Sequence, residues 1–221
     1  MTIAAVVTAA GSGTRLGRSL PKALVLIAGT PMVTWAASAA SQACSRIIVT
    51  APADALEDFR AALASIDADV SVVAGGADRQ GSVALGLAEL GGALDAVLIH
   101  DAARPFTPVD VFRRALDGLD DADGVVPVVP LADTIVRVGS GGFGYLDRES
   151  LAAVQTPQAF RPAHLLDAHS RAARDGVAAT DDGALLAHYG YRVVTCEGDL
   201  AARKITYPQD LELAEQLGAR A

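Results

Sequence analysis

The stretch AAGSGTRLGRSLPK, residues 9–22, places a glycine-rich turn and three cations directly behind the first strand of the chain. The run before it, IAAVVT at 3–8, is short, apolar and β-branched, the composition of a strand buried in a parallel sheet. Gly11 and Gly13 let the backbone turn tightly and aim its N–H groups at an anion, while Arg15, Arg18 and Lys22 add fixed positive charge. Together they describe a polyphosphate cradle at the end of a strand. The charge distribution singles out the same segment. The first 53 residues hold four cations and no carboxylate, a charge of +4, so the remaining 168 carry −12 to reach the total of −8.

Strand and helix signals alternate from there to the end, the pattern of a mostly parallel sheet covered by helices on both faces. The sequence predicts helices over 30–44, 53–65, 80–90, 107–119 and 162–175, a short one opened by Thr180, and a last one from Pro208. Strands are expected at 47–50, 70–74, 96–100, 125–129 and 192–196. Between Asp133 and Asp147 the alternation fails: two short runs, 134–138 and 143–147, flank GSGG and read as a β-hairpin leaving the sheet. A lone hairpin is marginal in water, so a second subunit is the simplest thing for it to pack on. With 221 residues, 51% hydrophobic content and no composition break, one α/β domain spanning 1–221 is expected, with 133–148 as its arm.

The bulk numbers exclude several classes. An acidic chain lacks the broad basic face that nucleic acid or an anionic membrane requires. Cys44 and Cys196 lie far apart without metal-ligand spacing, as reduced thiols of a cytoplasmic protein would. The apolar start has no basic n-region, and no apolar stretch approaches the ~18 residues of a membrane span. The loop is also not one of its better-known imitators. It lacks the third glycine of a dinucleotide fingerprint and an acid after the second strand, and it lacks the Gly-Lys-Ser/Thr ending of a P-loop.

In open α/β sheets ligands bind beyond the carboxyl ends of the strands. Three polar segments are expected there: residues 9–22, GGADRQGS at 75–82 and HDAARP at 100–105. Asp101 in the last can hold Mg²⁺, which takes one or two protein carboxylates and completes its shell with phosphate and water; read alone it is equally a turn cap or a partner of Arg104. Lys204, within RKIT, is by itself a solvated charge, Thr180-Asp181-Asp182 a helix start, and Arg148 a surface residue.

Read in order, these segments, with Asp133-Thr134, Asp147-Arg148, TPQ at 156–158, ATDD at 179–182 and KITYPQDL from Lys204, resemble the 2-C-methyl-D-erythritol 4-phosphate cytidylyltransferase family along essentially the whole chain. The resemblance implies a Rossmann-like nucleotidyltransferase fold, a mostly parallel mixed sheet with helices on both faces and a protruding β-hairpin arm, and a cytoplasmic homodimer joined through that arm. It implies reaction of CTP with 2-C-methyl-D-erythritol 4-phosphate, with Mg²⁺ as cofactor, in the non-mevalonate route to isoprenoids. By position, Arg15 and Lys22 would stabilise charge on the α-phosphate and departing pyrophosphate, and Asp101 would serve metal and substrate. Ala9, Ala10, Gly11, Ser12, Gly13, Gly75, Gly76 and Ser82 would hold the nucleotide. Thr156, Thr180 and Lys204 would hold the sugar phosphate, joined by Thr134 and Arg148 of the second subunit. Ala77 departs from the pattern: relatives often place an acid there, which here falls on the neighbouring Asp78. Two alternatives stand beside this reading, a cytidylyltransferase for another polyol phosphate such as ribitol 5-phosphate and a non-catalytic nucleotide-binding protein.

Overall fold

The structure, a computed structural model, describes residues 1–11, 13, 16, 20–139 and 142–219. The chain opens with β1 (Ile3–Thr8), a two-residue ribbon of β2 (Leu26–Ile27) and β3 (Thr30–Pro31), and α1 (Met32–Ser41). There follow β4 (Arg46–Ala51), α2 (Leu56–Leu63), β5 (Asp69–Ala74), α3 (Arg79–Ala88), β6 (Ala96–Asp101), α4 (Val109–Asp117) and β7 (Gly124–Pro130). The hairpin is β8 (Val136–Gly139) and β9 (Gly142–Tyr145). The rest is β10 (Ala152–Val154), β11 (Gln158–Phe160), α5 (Pro162–Asp175), α6 (Asp182–His188), β12 (Val193–Glu197) and α7 (Pro208–Gly218).

Strands β5-β4-β1-β6 run parallel and side by side. The segment 152–160 then runs antiparallel along β7, with β10 paired to β7 and β11 wedged between β7 and β6, while β12 adds to β7 in parallel. The mixed sheet agrees with the sequence reading, but β10 and β11 do not follow from it. Three-residue strands on either side of the Thr156–Pro157 peptide, which is cis, are too short to show a period of two. The helix expected from Thr30 begins instead at Met32, because Thr30 and Pro31 pair with β2. Local cap chemistry yields there to a tertiary contact.

Alternation along the strands sorts the core into two faces. Ala5, Val7, Ile47 and Val49 pack with Ala36, Ala37, Phe59 and Phe112 of α1, α2 and α4. Val6, Ile48 and Ile99 face the other way, against Val83, Leu87, Leu165 and Leu185 of α3, α5 and α6. Helix α3 comes unusually close: a Cβ on Gly86 would lie 2.5 Å from Val6 Cγ1 and 3.1 Å from Thr50 Cγ2. Valine in a buried strand cannot turn its methyls aside cheaply. Gly86→Ala is therefore expected to cost about 1–2 kcal/mol, overpacking outweighing the better helix propensity, and to lower Tm by several degrees. A melting curve with unchanged or raised Tm would show that α3 can retreat from the sheet.

A third, smaller cluster of Leu16, Ile27, Met32, Ile205 and Ala214 lies beneath the glycine loop. Trp35 closes it, stacked edge-on to Phe106 at 5.3 Å between ring centroids and donating from Nε1 to the Ile27 carbonyl at 3.2 Å. Buried Leu16 thus pegs the loop to α1, the β2–β3 ribbon and α7. No helix among the described residues is long and apolar enough to cross a membrane.

Candidate active site

The register of the sheet sets the site. Thr8 pairs with Asp101 across β1–β6 and with Thr50 across β1–β4, so the strands end level and their loops emerge together. A cavity of about 430 Å³ opens there, lined by Ala9, Ala10, Gly11 and Gly13 from the glycine loop, and by Lys22, Gly76, Arg79, Ser82, Asp101 and Lys204. That volume lies in the ordinary range of small-ligand pockets. The three segments chosen from the sequence do converge.

Each wall has a local cause. A Cβ on Gly75 would sit 2.5 Å from the Ala10 Cβ, so glycine at 75 is what lets the β5–α3 turn touch the loop after β1. The Gly76 N–H donates to Ser82 Oγ at 3.0 Å, and the Ser82 hydroxyl donates to the Asp78 carbonyl at 2.8 Å. Asp78 caps α3, its Oδ1 accepting from the Gly81 N–H at 2.7 Å. Buried Ser82 therefore holds the turn in shape. Lys22 follows Pro21 at the start of a short 3-10 turn and lines the cavity.

Asp101 is the electrostatic centre. Its side chain is only 7% exposed; Oδ1 accepts from Arg79 Nε at 3.0 Å and from the Thr8 hydroxyl at 3.2 Å, and Oδ2 accepts from Lys204 Nζ at 2.6 Å. Burial works to protonate the carboxyl, but the charges of Arg79, Lys204 and Arg104 outweigh it and hold it well below the usual carboxylate range. Its backbone N–H donates to Thr156 Oγ1 at 3.0 Å, and that hydroxyl also lies 3.0 Å from His100 Nδ1. Burial pushes the His100 imidazole down to about 4, so the ring is neutral and structural. Arg104 braces the rim instead of pairing directly with Asp101: it donates to the carbonyls of Ala202 and Val154 at 2.7 and 3.1 Å.

The other sequence-derived residues stand as follows. Arg15 and Ser12 lie outside the described residues. Gly75 backs the cavity without lining it, and Thr156 is buried beneath Asp101. Thr180 is exposed just ahead of α6, whose N-cap is Asp181 and not Thr180: the Asp181 carboxylate accepts from the Ala184 N–H at 2.7 Å. Thr134 and Arg148 flank the hairpin, both exposed and neither lining the cavity of their own chain; Arg148 donates to the Ala132 carbonyl at 2.7 Å. Arg79 was not singled out by the sequence reading. Its signal was its place in GGADRQGS, one residue after a helix cap.

The site offers positive charge rather than a nucleophile. Cys44 and Cys196 are free, and burial raises both thiols, Cys44 to about 12, so neither has the thiolate character of a reactive cysteine. Neither lines the cavity. Such a pocket suits transfer between two anions.

Comparison with known proteins bears on which anions. Residues 3–219 match the family model described as "IspD: 2-C-methyl-D-erythritol 4-phosphate cytidylyltransferase". A 2-C-methyl-D-erythritol 4-phosphate cytidylyltransferase of Streptomyces avermitilis is 43% identical over 235 residues, covering 98% of this chain and 92% of its own. A bifunctional enzyme IspD/IspF of Clavibacter michiganensis is also 43% identical, over 224 residues and 97% of this chain, but the chain spans only 54% of that longer protein. The crystal structure of 2-C-methyl-D-erythritol 4-phosphate cytidylyltransferase from Thermus thermophilus superimposes with a TM-score of 0.84 at 34% identity, covering 99% of this chain and all of the other.

Proposed function

This chain belongs to the 2-C-methyl-D-erythritol 4-phosphate cytidylyltransferase family and carries its CTP-dependent cytidylyl transfer, a step of isoprenoid synthesis; we propose that the cavity between the glycine loop and Asp101 is where it does so. The observation that supports this placement is the convergence of the glycine loop, Lys22, Lys204 and a doubly ion-paired aspartate in one crevice.

The acceptor is a phosphate monoester, largely ionised near neutrality, so it needs neither a protein base nor a covalent intermediate. One of its oxygens attacks the α-phosphorus of CTP, the bond to the bridging oxygen breaks, and pyrophosphate leaves with the electron pair. The difficulty is the approach of two anions, which positioning and fixed positive charge relieve. In this reading the glycine loop and Lys22, with Arg15, hold the triphosphate, the Ala9 N–H being already given to the Thr50 carbonyl at 2.8 Å. The Gly75–Ser82 turn holds the nucleoside, and Lys204 meets the incoming sugar phosphate together with Thr180, while Thr156 supports Asp101 from beneath.

The residues fit a divalent ion such as Mg²⁺. A carboxylate has about four lone-pair sites, and Asp101 uses three, for Thr8, Arg79 and Lys204, which leaves one at Oδ2. No group of three or more metal-type side chains exists among the described residues, so phosphate oxygens and water would complete the shell. Bound there, the ion would supply neutralising charge to the triphosphate.

We further propose a cytoplasmic homodimer of a single nucleotidyltransferase domain, 1–221, joined by the 133–148 arm. Hairpin β8–β9 pairs with no other strand of its own chain among the described residues, and it exposes Val138, Phe143 and Tyr145 at 79, 66 and 74%. A second copy would cover them and receive Thr134 and Arg148 at its sugar-phosphate side. Arg148→Ala is expected to raise KM for the sugar phosphate about tenfold or more, the worth of one charged hydrogen bond, with a much smaller change for CTP. Equal losses for both substrates would remove the arm from the sugar site.

The deciding assay is pyrophosphate release from CTP and Mg²⁺ with 2-C-methyl-D-erythritol 4-phosphate against ribitol 5-phosphate. Preference for the former is expected. Preference for ribitol 5-phosphate would establish the other polyol reading, and no release with either would leave a nucleotide-binding protein.

A further inference from the structure

The first turn of α3 does more than close the cavity. Arg79 uses two different nitrogens on two buried carboxylates: Nε donates to Asp101 at 3.0 Å, and Nη1 donates to Asp182 Oδ2 at 2.6 Å. The second carboxylate, 2% exposed, is not part of the cavity lining. It is fixed from behind by His169, whose Nε2 lies 2.9 Å from Asp182 Oδ1 and must carry a hydrogen, because an ionised carboxylate only accepts. Burial opposes the charge on Asp182, yet His169 and Arg79 hold its carboxyl below the ordinary value. The guanidinium leaves Nη2 buried without a partner among the described residues, so its orientation serves the two acids rather than its own full complement of bonds.

The next residue makes a second connection to the same place. Gln80 Nε2 donates to the Val177 carbonyl at 3.0 Å, and Gln80 Oε1 accepts from the Ala179 N–H at 3.0 Å. Two consecutive side chains thus reach from the nucleotide-side turn to the segment on either side of Thr180. One holds the backbone before it and the other holds Asp182 after it.

Resting on the site assignment above, we propose that Arg79 and Gln80 are positioning residues, a clasp that registers Asp101 and the 75–82 turn against the 177–182 segment. Asp182 then orients Asp101 through Arg79 without touching substrate. Only arginine suits the bridge, since its planar fork presents separate donors to two carboxylates whereas an ammonium is a single point of charge.

The test compares Arg79→Met, Arg79→Lys, Asp182→Asn and the double variant R79M/D182N with the unsubstituted enzyme, measuring kcat and both KM values by pyrophosphate release and CTP affinity by calorimetry. Misplaced groups commonly cost up to ~10²-fold, so R79M is expected to lose about that in kcat, and D182N, whose carboxylate lies outside the cavity lining, about tenfold with CTP affinity within about twofold. Lysine at 79 should recover little of the loss. Because Asp182 acts only through Arg79, the double variant should be no slower than R79M. Should R79M fail to fold, Gln80→Ala reads the other arm of the clasp: KM for the sugar phosphate is expected to rise about tenfold while that for CTP stays within about twofold. Wild-type kcat in D182N, multiplicative losses in the double variant, full rescue by lysine, or equal KM changes in Q80A would each overturn the clasp. Absence of turnover in the unsubstituted enzyme would instead overturn the functional reading on which it rests.

Discussion

Lys22→Ala is expected to lower kcat by ~10²-fold or more with little change in Tm. Removing one preorganised donor aimed at developing charge typically has a cost of that size, and the cavity offers few replacements. Among the described residues, the cationic side chains that line it are Lys22, Arg79 and Lys204, each on a different segment. Lys22 enters from the loop side, where the triphosphate is assigned, so its loss should fall on the transition state more than on CTP affinity. Its side chain is half-buried on a short turn, outside the sheet core, which is why the fold should tolerate alanine. Arg15→Ala is expected to behave alike on the sequence reading. Steady-state pyrophosphate release checks both, and near-normal turnover in both variants would exclude the loop cations from the chemistry.

The sequence carried this part of the site well because the signals were local. A β-branched strand followed by glycines and cations is contiguous, and the strand register then brings the ends of β1 and β6 together without further information. Helix α5 was read to its true limits because Pro162 and Gly176 punctuate it, the latter at φ 68°. What was hidden is non-local. The Arg79 bridge joins residues 22 and 103 positions away, and nothing in DRQ announces which carboxylates will be near. Thr156 was expected to face the sugar phosphate, yet its hydroxyl meets the Asp101 amide and His100, an arrangement fixed by β11 entering between β6 and β7. Short strands of this kind owe their existence to the edges they fill, so sequence pattern is silent about them.

The same long-range cluster makes Asp101→Asn the most damaging substitution expected. Asparagine keeps the shape but exchanges a charged acceptor for an amide whose NH₂ must face Arg79 or Lys204, donor against donor. Arg79 retains Asp182, so the buried side of the cluster survives. Lys204, 41% exposed, has no such second acid among the described ion pairs and is free to swing into solvent. The variant should therefore fold, while losing both the oxygen assigned to the divalent ion and the anchor of the lysine assigned to the incoming phosphate. A fall in kcat/KM for the sugar phosphate of ~10²-fold or more is expected. The Mg²⁺ concentration for half-maximal rate should rise by about tenfold or more, since even outer-shell changes commonly weaken metal binding that much. Titrating Mg²⁺ at saturating CTP separates the two effects. An unchanged half-saturation point with reduced kcat/KM would leave Asp101 as the organiser of Lys204 and Arg79 alone, and an unchanged kcat/KM would remove the aspartate from the reaction altogether.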